Sequence, residues 1–264
     1  MKPEFFCPRW GSEQLTWKEF MEKVVTAGYN GVEYAISSDT PDEALDNVWE
    51  LAEKYGLKML PQHFDTITAD YNEHVDLYAR WLERIRKYPF VKINSQTGRD
   101  IFSFDQNIAL IRLAGEGVVH EMHRGKFSFA AHITNGYLKA SPDLRLTFDI
   151  SHWVAVAESW LDDQAESVEF AISRAQHIHA RVGYPEGPQI PDPRLPEWQQ
   201  AVRVHLGWWR RIAQRFKEDQ ILTITPEFGP YPYLVHDYSQ WDMNVYMMDL
   251  LRNELVATPA FSLL

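Results

Sequence analysis

The chain has 264 residues, is 45% hydrophobic and carries a formal net charge of −11 with no basic run. That length suits one large α/β domain, and that charge argues against a nucleic-acid partner, since phosphate binding needs a positive footprint. One cysteine, Cys7, excludes an internal disulfide, and no stretch of about 18 apolar residues is present to span a membrane. The start, MKPEFFCPRWG, carries no signal-peptide pattern, so a cytoplasmic protein is expected. No Pro/Gly/Ser-rich linker or low-complexity tract divides the chain, and residues 1–264 read as one domain.

Strand-like and helix-like segments alternate from end to end. Residues 5–9 (FFCPR) read as a first strand, and the helix after them takes Ser12 as its cap and Gly28 as its stop. Residues 31–36 (GVEYAI) form a second strand, and Thr40-Pro41 opens the next helix with proline at its first position. A third strand covers 57–63 and a fourth 90–96, with the amphipathic helix NEHVDLYARWLERIRKY between them. A fourth helix spans 103–114 and a fifth strand 118–123. SFAAHITNGYLKA is the fifth helix, 144–150 the sixth strand and 162–174 the sixth helix. After a seventh strand at 177–182 comes a proline-bearing loop, YPEGPQIPDPRLPEW, and a long helix through VRVHLGWWRRIAQRF. Strand eight covers 221–228, and the last helix runs from about 237 to 254.

Eight strand–helix units in strict alternation predict a parallel sheet closed into a single (β/α)8 TIM barrel. An open doubly wound sheet is the alternative, and the absence of a Gly-rich dinucleotide fingerprint after the first strand weakens it.

In such a barrel the C-terminal strand ends carry the chemistry. Four ionisable residues fall there on consecutive strands: Glu121 in VVHEMHRG, Asp149 in LTFDISHW, His179 in AQHIHARVGY and Glu227 in LTITPEFGP. Three carboxylates and an imidazole at one face repel each other unless a divalent cation sits among them, so the pattern predicts a metal site. A hard divalent ion accepts that donor set, polarises a carbonyl and acidifies the adjacent C–H. One glutamate then removes the proton and another returns it, at the opposite face for epimerisation or at another carbon for isomerisation. His177 and His179 point to the same face of their strand, so spacing leaves the ligand open between them; His179 lies nearer the strand end. Arg181, two further on, is placed to neutralise an enediolate oxygen or to hold a carboxylate or phosphate. His63 closes strand three and joins His123 and Arg124 as a candidate lining group, whereas His120 alternates outward. Trp10, Trp153 and Phe228 sit beside strand ends where aromatics stack on sugar faces, though with ten tryptophans most serve packing.

The motifs GYNGVEY, HEMHRG, the DISH step, the HIH step and TPEFGP, in this order over almost the whole chain, resemble the xylose isomerase-like barrels. That group of sugar (phosphate) isomerases and epimerases includes the ketose 3-epimerases. The resemblance implies one divalent ion (manganese, cobalt, magnesium or zinc) on Glu121, Asp149, His179 and Glu227, with the two glutamates as acid and base. It implies a substrate-oxygen contact at His152 and assigns the metal to the second histidine of the HIH step. The implied function is a metal-dependent isomerase or epimerase acting through an enediolate on a ketose or related hydroxy-carbonyl compound, a sugar or polyol derivative. Relatives often form dimers or tetramers, so a homo-oligomer is one expectation. Two features depart from the ketose 3-epimerase pattern. The loop GYPEGPQIPD has Pro185 near the place of a substrate-binding arginine, and RGKFSF stands where an acidic residue follows the first glutamate. Other readings use the same barrel. One is a dehydratase of the inosose or 3-dehydroshikimate type. Another is an endonuclease IV-like enzyme, which needs three zinc ions and more ligands. The last is a sugar-binding barrel without catalysis, which predicts loss of a ligand.

Overall fold

The computed structural model describes residues 1–234 and 238–256. Eight parallel strands close in sequence order, each hydrogen-bonded to the next and the eighth to the first. They are β1 (Lys2–Pro8), β2 (Gly31–Ala35), β3 (Lys58–His63), β4 (Ile93–Ser95), β5 (Val118–Glu121), β6 (Leu146–Phe148), β7 (Ala175–His179) and β8 (Ile221–Thr225). The expected (β/α)8 barrel is therefore the fold, and the open sheet is excluded.

The helices between the strands are α1 (Trp17–Ala27), α2 (Asp42–Lys54), α3 (Tyr71–Ile85), α4 (Phe104–Ala114), α5 (Ala131–Ala140), α6 (Ser151–Ala157), α7 (Ala165–Arg174), α8 (Gln199–Ala213) and α9 (Gln240–Val256). Local chemistry sets their ends. Ser12 does not cap α1. Thr16 does, because Thr16 and Glu19 close a reciprocal capping box that satisfies two free N–H groups, while Ser12 belongs to a turn back onto Arg9. Ser103 and Gln106 form the same box on α4. Gly28 stops α1 in the left-handed conformation, at φ 83°. Pro41 precedes the first turn of α2 and occupies its cap position. Residue 237, the expected start of the last helix, lies outside the described residues.

One element was not anticipated. The chain leaves β6, turns on Asp149 and enters the short helix α6, where the backbone N–H of Ser151 donates to Asp149 Oδ1 at 3.2 Å. That turn sets His152 against Asp149, its Nε2 3.5 Å from Oδ2.

The main apolar core lies between barrel and helices, where Phe20, Leu45, Trp81, Trp153 and Trp209 are buried. Each such side chain contributes about 1.5–3 kcal/mol. The barrel interior is different. Glu33, Gln62, Asn94, Thr147, His177, Thr223 and Thr225 are all buried polar residues on its strands. Asn94 is their hub: its amide donates to Glu33 Oε1 and Glu121 Oε2, both at 2.9 Å, and its carbonyl accepts from the Thr147 hydroxyl at 2.7 Å. Buried polar groups persist when they are bonded to each other, and this column connects the barrel floor to its mouth.

Candidate functional site

The four strand-end residues meet. Glu121 and His179 are the last residues of β5 and β7, Asp149 follows β6 by one, and Glu227 follows β8 by two. Each offers one ligand atom, and these atoms lie within 4.8 Å of one another, all buried. The contacts are close but unsatisfied. His179 Nδ1 lies 2.9 Å from Glu227 Oε2, an ion pair that is not aligned as a hydrogen bond. Asp149 Oδ2 is also buried without a partner. Glu121 is held more firmly, accepting from Gln62 at 3.1 Å, Asn94 at 2.9 Å and Gln96 at 3.3 Å.

The electrostatics agree. Burial pushes the Glu121 carboxyl up to about 8, with Glu227 and Asp149 adding to the rise. Burial likewise lifts Asp149 to about 6, Glu227 adding while Arg181 opposes. Burial disfavours charge on His179, but Glu227, Glu33 and Glu121 outweigh it and hold this ring well above the usual imidazole range. Carboxylates this close cannot all ionise without a countercharge. Three oxygen donors and one imidazole, with ligand atoms left unbonded and converging, fit a divalent cation; these residues could bind one.

A second cluster lies beneath. Glu33 on β2 accepts from Nε2 of His179 at 2.9 Å and approaches Nε2 of His177 at 3.2 Å. His177 Nδ1 reaches the Thr223 hydroxyl at 2.8 Å. A carboxylate only accepts, so His179 keeps a proton on Nε2 toward Glu33, and Nδ1 is the nitrogen that would give up its proton to a cation in the quartet. Burial would raise the Glu33 carboxyl, but the two imidazoles hold it well below the usual carboxylate range. Sequence reasoning missed Glu33. Its signal was one charged residue inside the short apolar strand GVEYA. His177, left open as a ligand, lies in this lower layer.

Above the quartet opens a cavity of about 630 Å³, lined among others by Trp10, Tyr34, Gln62, Glu121, Arg181, Glu227 and Tyr233. A larger hollow of about 740 Å³ at the other end of the barrel, between residues 111–118 and 140–145, touches no member of the quartet. Trp10 and Arg181 thus lie where expected. Trp153 and Phe228 are buried packing residues outside the lining. His152 is buried with Nε2 3.5 Å from Asp149 Oδ2, and its Nδ1 accepts from Arg124 Nε at 3.0 Å. A ring nitrogen of His152 also lies within 4.8 Å of ligand atoms of Glu121 and His123, so His152 borders the quartet, while the cavity wall beside it belongs to His123, whose ring centre is 4.1 Å away. His63 does not line the cavity. Strand alternation turns it outward onto Tyr78 and Trp81, at 4.6 and 5.0 Å between ring centres, with Nε2 bonded to Thr66; Gln62 takes the inward place. His120 faces outward as expected, bonded to Thr97 at 2.8 Å.

No family model matches the chain, and no curated protein matches its sequence. Solved structures share its fold. Endonuclease IV from Thermus thermophilus has a TM-score of 0.60 at 14% identity, over 98% of this chain and 100% of that one. The probable 3-DHS dehydratase AsbF of Bacillus anthracis, involved in petrobactin synthesis, has a TM-score of 0.58 at 15% identity, over 96% and 99%. An AP endonuclease, family 2, from Brucella melitensis has a TM-score of 0.55 at 13% identity, over 87% and 94%. At these identities the likeness shows the fold alone, a (β/α)8 barrel shared over nearly the whole chain.

Proposed function

We propose that this chain is a divalent-metal-dependent isomerase or epimerase that moves a proton on a ketose or related hydroxy-carbonyl compound. The observation that carries the reading is the buried quartet Glu121, Asp149, His179 and Glu227, whose ligand atoms converge within 4.8 Å below a cavity. When bound, the cation supplies a Lewis acid that polarises the substrate carbonyl. The rest falls to the side chains. Asp149 and His179 anchor the site from β6 and β7. Glu121, fixed by three amide donors at the end of β5, suits proton delivery. Glu227, on the loop just past β8, suits proton removal. Two carboxyl groups in unlike surroundings are what an acid–base pair requires. Gln62, Gln96 and His123 line the cavity beside them and offer hydrogen bonds to substrate hydroxyls, while Trp10 and Tyr233 offer faces for its C–H groups. The charge of −11 supports a small substrate over a nucleic acid.

The test is elemental analysis of the purified protein, followed by incubation with ketoses and manganese in deuterated water. One cation per chain and solvent deuterium at the carbon beside the carbonyl are expected. Loss of water from the product would make the reaction a dehydration. A protein that takes up no manganese, cobalt, magnesium or zinc would overturn the reading.

A further inference from the structure

Arg181 stands two residues past His179, where the chain leaves β7, and its side chain is buried. The Tyr233 ring centre lies 4.3 Å from its guanidinium carbon and that of Trp10 6.0 Å away, so aromatic rings pack against it. Two of its nitrogens, Nε and Nη2, have no aligned hydrogen-bond partner among the described residues. These two flank the same edge of the guanidinium, and their parallel N–H groups are spaced to meet both oxygens of one carboxylate. The molecule shows that edge filled elsewhere: Arg194 holds Asp192 through Nε at 2.9 Å and Nη2 at 2.7 Å. A dry, charged edge left unpaired is costly, so an absent partner is implied. The nearest carboxylates do not provide it. Asp149 and Glu227 act on Arg181 through space, but neither hydrogen-bonds to it, and both belong to the quartet. Arg181, Glu121 and Glu227 line one cavity, so a molecule at the quartet lies beside the Arg181 side chain.

We propose that the substrate carries a carboxylate that docks on the Nε/Nη2 edge of Arg181 while its carbonyl end meets the quartet. This rests on the isomerase or epimerase reading and narrows its substrates from neutral ketoses to keto-sugar acids. A phosphate would offer related anionic chemistry and a pair of hydroxyls a weaker, neutral one; the test separates all three.

The probes are fructose, fructuronate and fructose 6-phosphate, which share one ketose skeleton. Their binding to manganese-loaded protein is measured by titration calorimetry for the parent chain, Arg181→Gln and Arg181→Lys. Fructuronate is expected to bind the parent chain about tenfold tighter than fructose or more, and tighter than the phosphate. Arg181→Gln should erase that preference while keeping the manganese, and Arg181→Lys should restore part of it. Equal binding of acid and neutral sugar overturns the proposal, as does a preference that survives in Arg181→Gln. Tightest binding of the phosphate overturns the carboxylate assignment. Loss of manganese from Arg181→Gln would show that Arg181 serves Asp149 instead, which also overturns it. The parent-chain comparison needs no variant, so a misfolded variant does not block the test. If the parent chain takes up no cation, the functional reading fails. The same titration on metal-free protein then still decides whether Arg181 selects the acid.

Discussion

Two clusters of acid and imidazole share the ring of His179, and they differ in whether their bonds close. In the lower one Glu33, His177, His179, Asn94 and Thr223 answer each other at 2.8–3.2 Å. In the upper one Asp149 Oδ2 and His179 Nδ1 find no aligned hydrogen bond among the described residues, and Glu121 and Asp149 are pushed toward their protonated forms. The same residue types therefore make a structural element in one layer and an open site in the next. A closed network rigidifies the barrel; an open one with converging donors invites a ligand. The lower cluster also serves the upper, because Glu33 settles which nitrogen of His179 faces the mouth.

The strongest break comes from the shared ring. His179→Ala should abolish cation uptake and leave Glu33 short of a partner, destabilising the fold by about 3–5 kcal/mol. Denaturant melts and elemental analysis of the same sample check both effects. A stable variant that keeps its metal would show that the clusters are not joined through this residue.

Breaking only the upper cluster should spare the fold. Glu121→Gln and Glu227→Gln are each expected to slow deuterium exchange about 10²- to 10⁴-fold with little change in melting temperature. Unchanged turnover in either variant removes that residue from proton transfer.

Breaking only the lower cluster is a subtler test. Glu33→Gln should weaken metal affinity about 10- to 100-fold while the circular dichroism spectrum stays as in the parent. Calorimetric titration with manganese reads the change, and an unaltered affinity would mean that Glu33 does not orient His179.

Proton linkage sharpens the contrast further. In the metal-free fold Glu121 holds its proton to about 8 and Asp149 to about 6, above their ordinary values of 4.5 and 3.8, chiefly through burial. The folded state binds these protons more tightly than the unfolded chain does. Their stabilising contribution is complete below about pH 4 and is lost as pH rises through 6 and then 8. Bound metal needs the ionised forms, so the rise in melting temperature on adding manganese should be larger at about pH 9 than at about pH 5. The opposite trend would remove the carboxylates as ligands.

The smallest effect is expected at His63. His63→Phe keeps a ring against Tyr78 and Trp81 and leaves the Thr66 hydroxyl unpaired, costing about 1–3 kcal/mol, with substrate affinity unchanged. A raised KM would return His63 to the site.

The sequence by itself determined the barrel and the quartet. Apolar runs alternating with amphipathic helices set eight parallel strands, and a carboxylate or imidazole at the ends of four consecutive strands converges in any closed barrel of that order. Arg181 and Trp10 were legible for the same reason, since both flank strand ends. Tertiary structure decided what depends on strand parity, register and local turns. A shift of one residue turns a side chain from cavity to core, and Gln62 rather than His63 faces inward because of it. The helix after Asp149 sets His152 against that carboxylate, with Nε2 3.5 Å from Oδ2, which no periodicity announces. Glu33 lies 144 residues from His177 and 146 from His179, so only closure of the barrel makes them partners. Hydrogen bonding at that separation depends on where the strands meet, and the same closure leaves the mouth of the barrel with ligand atoms that find no hydrogen bond among the described residues.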